Sequence, residues 1–234
     1  PNAKEVAREN LVRWLGSADA RGVLVRVNSP TTAWFEEDMR ALAHLPHVEG
    51  LMLPKAEDVD AIAATRARMR SEAIFIGLVE TARGFADLRA VAQAPGVTRL
   101  AFGSLDFCLE TGIQGQGSEL DFFRAQLVLE SCLAGLAAPI EGVTVDIKSP
   151  DVLQADVERA RRYGFGGKLC IHPNQVTPIN SGFSSSAESI AWARRVIAAA
   201  ESGVGAVTAD GKLVDRPVVL QAEKILAQAP IVVE

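Results

Sequence analysis

The sequence predicts an α/β protein on a parallel sheet of the TIM (β/α)8-barrel type, and three observations predict it. Short apolar runs alternate with amphipathic stretches along most of the chain. The runs are rich in Val, Ile and Leu, as strands covered on both faces must be. The polar residues that follow them fall at the carboxyl ends of successive runs, the rim on which a barrel builds its site. A doubly wound sheet would concentrate its site at one switch point, usually with a glycine-rich phosphate turn. Neither GxGxxG nor GxxxxGK[ST] occurs in the chain.

In chain order, residues 4–15 read as a first amphipathic helix and 22–27 (Gly-Val-Leu-Val-Arg-Val) as a first buried strand. Helix 32–43 leads to strand 50–53, and helix 58–71 to strand 73–79. Helix 85–92 leads to strand 98–102, helix 119–137 to strand 140–145, and helix 150–163 to strand 167–171, before helix 187–200. Residues 112–117 (Gly-Ile-Gln-Gly-Gln-Gly) read as a flexible connection of the kind that covers a site. Beyond residue 200 the pattern changes. Ala209-Asp-Gly-Lys carries a tight-turn dipeptide between β-like flanks, so a hairpin is expected, then a helix over 217–227. The expected organisation is a barrel over 1–200 and a lid or oligomerisation extension over 201–234.

A length of 234 residues suits one barrel domain, and 48% apolar residues with a mean hydropathy of +0.15 supply a sizeable core. The net charge of −5 and the lack of a dense Lys/Arg block argue against nucleic acid. The three cysteines, Cys108, Cys132 and Cys170, are odd in number and far apart, and read as core thiols in a reducing compartment. No apolar run reaches membrane-spanning length, and the chain opens directly in helix-like sequence, so a cytoplasmic address is expected.

The chemistry concentrates in two acids. Ile74-Phe-Ile-Gly-Leu-Val ends in Glu80, and Arg99-Leu-Ala-Phe-Gly-Ser-Leu ends in Asp106. An acid where a buried parallel strand opens into its loop is poorly placed for packing and well placed for a hard cation, and two suffice for Mg2+. Equally, each acid can be a helix N-cap or the partner of a neighbouring Arg. Arg26 ends a buried strand and must face an acid such as Glu80 or an anionic ligand, since burying an unpaired guanidinium costs several kcal/mol. Lys55, after Pro54 at the next strand end, can reach an anion or be an exposed lysine.

Other polar residues read more plainly. His44 and His47 lie on the opposite rim and read as surface residues, not zinc ligands. His172, in Cys-Ile-His-Pro-Asn-Gln, is read first as a structural hydrogen-bonding group and second as an acid/base. Asp146 and Asp151 flank a helix start as caps. Cys108 has no nearby base and is no nucleophile. Asp215, before Arg216-Pro217, reads as an N-cap with Pro just inside the helix.

Together, Val-Arg26-Val-Asn, Leu-Pro54-Lys55, Val-Glu80-Thr-Ala-Arg-Gly, Phe-Gly-Ser-Leu-Asp106-Phe, Gly166-Gly-Lys-Leu-Cys-Ile-His172-Pro-Asn-Gln and Asp210-Gly-Lys-Leu-Val-Asp215-Arg-Pro resemble the HpcH/HpaI aldolase/citrate lyase superfamily. The resemblance covers nearly the whole chain and lies nearest the citrate lyase β-subunit-like branch, alongside malyl-CoA and citramalyl-CoA lyases. It implies a TIM barrel with Mg2+ on Glu80 and Asp106, the ion chelating a small 2-oxo acid. Arg26 would contact a substrate oxygen and stabilise the thioester enolate of an acyl-CoA. Asp215 would reach a neighbouring subunit's site and move the proton at the acyl α-carbon, which implies a homotrimer or a higher homo-oligomer.

Members of that family usually open with two further strands, the second carrying an acidic motif, so against the six strands predicted here either the given chain lacks its first βα units or the barrel is completed some other way. The expected activity is cleavage of a 3-hydroxyacyl-CoA into an acyl-CoA and a 2-oxo acid, or the reverse condensation. The rivals are a thioesterase acting on malyl-CoA, a class II 2-oxo acid aldolase acting without CoA, and a subunit that works only with partner proteins.

Overall fold

A computed structural model describes residues 3–17, 20–201, 208–209 and 212–227. They form two compact units, Pro1–Ile179 and Asn180–Glu234. In the first unit the order is α1 (Lys4–Leu15), β1 (Val23–Arg26), α2 (Phe35–Leu42), β2 (Val48–Leu53), α3 (Val59–Arg66), β3 (Ile74–Val79), α4 (Ala82–Ala86) and α5 (Leu88–Gln93). There follow β4 (Arg99–Phe102), α6 (Ser104–Thr111), α7 (Asp121–Leu133), β5 (Ala137–Glu141), α8 (Pro150–Tyr163), β6 (Gly167–Lys168) and α9 (Val176–Phe183), whose end crosses into the second unit. The second unit continues with α10 (Ala187–Glu201), the antiparallel pair β7 (Thr208–Ala209) and β8 (Lys212–Leu213), and α11 (Arg216–Ala227).

The six strands of the first unit form one parallel sheet in sequential order, β1 to β6. Sequential parallel order is the connectivity of a TIM-like barrel and not that of a doubly wound sheet. The sheet is curled. Arg26 of β1 and Leu169 beside β6 line one cavity of about 150 Å³. A flat sheet with strands ~4.8 Å apart would hold those positions roughly 24 Å from each other. Side chains alternate accordingly. Met52, Ile76, Leu78, Ala101, Ile140 and Leu169 pack together on the concave side. Leu51, Leu53, Phe75, Val79, Leu100 and Phe102 occupy the alternate positions and are buried on the helix-covered side. Burying a side chain of this size contributes about 1.5–3 kcal/mol, so both faces hold the sheet.

Several boundaries depart from the sequence expectation. The strand expected at 140–145 is Ala137–Glu141, because Pro139 disguises it. That proline sits where the β4–β5 register shifts between Arg99 and Ala101, and such an irregularity is where a sheet tolerates a residue without an N–H. The helix expected over 119–137 stops at Leu133, and Gly135 at φ +70 turns the chain into β5. Residues 85–92 are two short helices joined at Asp87. The helices α6 and α9 lie where only loop was expected. The hairpin expected around Ala209 is present as β7 and β8, while its turn, residues 210–211, lies outside the described residues.

The cysteines are not core thiols: Cys132 and Cys170 are exposed and Cys108 is half-buried, all three free. In the second unit, Ala193 and Val196 of α10 pack on Ala222 of α11. Among the described residues no helix is long and apolar enough to cross a membrane.

Candidate active site

Glu80 is the first residue past β3, and the alternation that buries Ile76 and Leu78 on the concave side puts its carboxylate there too. It is 5% exposed. Neither of the bland roles open to it holds. The N-cap of α4 is Thr81, whose Oγ accepts the Gly84 N–H at 3.0 Å, and no salt bridge reaches Glu80 among the described residues. Instead the main-chain N–H of Lys55 donates to Glu80 Oε1 at 3.0 Å.

Gly103, in the neighbouring strand-to-helix turn, leaves room for the acid. A Cβ there would stand 2.3 Å from Glu80 Cβ and 2.8 Å from Oε2. Its φ of −88° is open to any residue, so the glycine is required by the close approach alone.

Contrary to the sequence expectation, Asp106 does not end its strand. β4 stops at Phe102, and Asp106 lies in the first turn of α6, where the helix dipole favours an anion. It is exposed and belongs to no ion pair among the described residues. The helix is anchored by the next residue. Phe107 is buried against Phe85, Phe102 and Phe123, with centroid distances of 4.7, 5.8 and 4.5 Å. This aromatic cluster escaped sequence reading. Its signal was the recurrence of Phe at 85, 102, 107 and 123, which no single periodic pattern connects.

The two carboxylates meet. Burial pushes Glu80 up to about 7, the charge of Asp106 and a hydrogen bond to it push the same way, and the Lys55 N–H and the Arg26 charge pull down. Arg26, at the end of β1, lines both cavities on this rim together with Glu80 and Asp106. It is exposed, not buried, and forms no hydrogen bond or ion pair with the described residues, so the expected bridge to Glu80 is absent. Its guanidinium is thus available to a ligand. The larger cavity, about 340 Å³, extends from these three residues past Asn28 to Lys4 and Arg8. The smaller has an apolar floor of Leu78 and Leu169.

The remaining candidates lie elsewhere or serve the fold. The Lys55 side chain is exposed and lines neither cavity. His172 Nδ1 accepts the Asn174 N–H at 3.2 Å, a structural bond. Neither expected cap holds α8: Asp151 lies inside its first turn, and Asp146 accepts from the N–H groups of Lys148 and Ser149 ahead of it, its carboxyl held below the usual range by the Ser149 side chain first and by these amides next. His44 and His47 are exposed beside the start of β2, on the opposite rim. Asp215, in the second unit, caps α11 through Oδ1 to the Val218 N–H at 3.2 Å and is exposed.

The connection at 112–117 is pinned. Buried Arg124 donates to the carbonyls of Gln116 and Gly117 and pairs with buried Glu141 at 2.6 Å. None of its residues lines either cavity. Among the described residues no group of three or more His, Cys, Asp and Glu gathers as a metal cage.

A curled parallel α/β sheet with two carboxylates and an arginine on its carboxyl rim defines the TIM-like class of enzyme scaffold. The family model of the HpcH/HpaI aldolase/citrate lyase family matches residues 1–173, and the chain belongs to that family, an enzyme of the lyase type. It is 33% identical over 236 residues to the Citrate lyase subunit beta-like protein of Deinococcus radiodurans, covering 96% of this chain and 81% of the relative. It is 31% identical to the mitochondrial Citramalyl-CoA lyase of Homo sapiens, covering 100% of this chain and 76% of that one. Among solved structures, CitE from Mycobacterium tuberculosis in complex with magnesium, acetoacetate and coenzyme A superposes with a TM-score of 0.78. That match has 30% identity and covers 96% of this chain and 84% of that chain.

Proposed function

We propose that this protein is a Mg2+-dependent carbon–carbon lyase that splits a 3-hydroxyacyl-CoA of the malyl-CoA or citramalyl-CoA type into an acyl-CoA and a 2-oxo acid, or runs the reverse condensation. The observation that carries this reading is the buried Glu80 carboxylate beside Asp106, on a rim cavity shared with Arg26. The six sequential strands are read as consecutive strands of a (β/α)8 barrel. The relatives named for citrate lyase and citramalyl-CoA lyase activity, and the solved relative holding magnesium and coenzyme A, support the same reading.

The residues fit the ion. Burial first, and the neighbouring charge of Asp106 second, hold the Glu80 carboxyl at about 7, and a divalent cation between the two acids would relieve their repulsion. Glu80 and Asp106 would hold Mg2+, with water and substrate oxygens completing a shell of about six. Bound there, the ion supplies Lewis-acid polarisation of the 2-oxo acid's oxygens. Arg26 presents its guanidinium fork to the substrate oxygen that becomes negative as the C–C bond breaks and its electrons pass into the thioester enolate. Asp215, arriving from a neighbouring subunit of a homo-oligomer, moves the proton at the acyl α-carbon.

Incubating the purified protein with Mg2+ and malyl-CoA or citramalyl-CoA tests this. Glyoxylate or pyruvate should form and should cease with EDTA. No turnover on either ester, with 2-oxo acid binding intact, would replace the stand-alone lyase by a subunit that requires partner proteins.

A further inference from the structure

Lys55 is the one non-glycine residue with a positive φ, +50°, among the described residues. The left-handed region crowds the Cβ of an L-residue, and such strain persists where the surroundings over-determine it. Here they do. On one side β2 ends at Leu53 and Pro54 lines the rim cavity. On the other, Ala56 is buried, its N–H donates to the Leu78 carbonyl at 3.0 Å, and its own carbonyl would lie 3.0 Å from a Cβ on Gly84.

The left-handed turn between them aims two successive amides at β3. Ala56 N–H satisfies the strand, and Lys55 N–H meets Glu80 Oε1 at 3.0 Å. The lysine's ammonium takes no part, since the side chain is exposed and lines neither cavity.

We propose that Lys55 is a positioning residue that acts through its backbone: its left-handed conformation and main-chain N–H orient the Glu80 carboxylate for the cation, and its ammonium group is dispensable for this. The inference rests on the metal site proposed above. One carboxylate oxygen is tethered to the amide, which leaves the other for the cation. Losing such an outer-shell hydrogen bond typically weakens metal affinity 10–100-fold.

The test separates backbone from charge by titrating Mg2+ into the whole protein in a calorimeter, with thermal melts to confirm folding. Lys55→Gly and Lys55→Asn discard the ammonium but tolerate the left-handed region. Lys55→Val discards the ammonium and resists that region, and Lys55→Arg keeps the charge. The expected result is wild-type affinity, within about threefold, for the Gly, Asn and Arg variants, and a loss of roughly tenfold or more for Val. Loss in Gly and Asn with retention in Arg would overturn the proposal in favour of the ammonium, and equal affinity across all four would overturn it outright. A wild-type protein without measurable Mg2+ binding, or Glu80→Gln binding as tightly as wild type, would sink the metal site itself.

Discussion

At the scale of single residues, Glu80 sets the pH behaviour. A proton competes with the cation for a carboxyl group held at about 7. Mg2+ affinity should therefore be flat above that pH and weaken about tenfold for each unit below it. Glu80→Gln should abolish both the binding and the slope. In the metal-free protein the sign reverses. The folded carboxyl holds its proton more tightly than an unfolded one near 4.5, so its stabilisation is fully present below pH 4.5 and is lost as pH rises through about 7. Urea unfolding at pH 5 and pH 8 should show this loss in wild type and not in Glu80→Gln.

Gly103 is the second residue on which the site turns. Gly103→Ala forces a Cβ to within 2.3 Å of Glu80's own, so it should displace the acid, cost about 1–3 kcal/mol, and weaken Mg2+ binding. Chemical denaturation and calorimetry on the same variant check both effects.

At the scale of elements, most strands were legible as Val/Ile/Leu-rich runs, with β5 displaced by Pro139, and Glu80 was legible as the residue that closes β3. The position of Asp106 was not. α6 begins at Ser104 without a side-chain cap bond, so nothing local announced a helix between β4 and the acid. What fixes α6 is tertiary, the Phe85–Phe102–Phe107–Phe123 cluster. Phe107→Ala should therefore cost about 3–5 kcal/mol and also loosen Asp106, seen as weaker Mg2+ binding in a variant that remains folded.

The loop at 112–117 misled for a similar reason. Its glycines read as freedom, while the group that pins it, Arg124, comes from the following helix. Arg124→Met would leave Glu141 buried and unpaired. It should cost about 3–5 kcal/mol and release backbone hydrogen-exchange protection over 112–117.

At the scale of the whole molecule, the curl of six sequential strands brings residues five strands apart onto one cavity, which no local pattern states and only sequential parallel order implies. Asp215 is where sequence and structure agree on the bland role, since it caps α11. Its proposed catalytic role depends on assembly. Mixing inactive Arg26→Ala and Asp215→Ala proteins should restore part of the lyase activity through hybrid sites, and failure to complement would leave Asp215 a cap alone.

The central claim is that Glu80 and Asp106 together form the cation site. It is tested most directly by calorimetric titration of Mg2+ into wild type, Glu80→Gln and Asp106→Asn at pH 8. Saturable one-to-one binding in wild type, weakened at least tenfold in each variant, is the expected result. Wild-type affinity in either variant would contradict it.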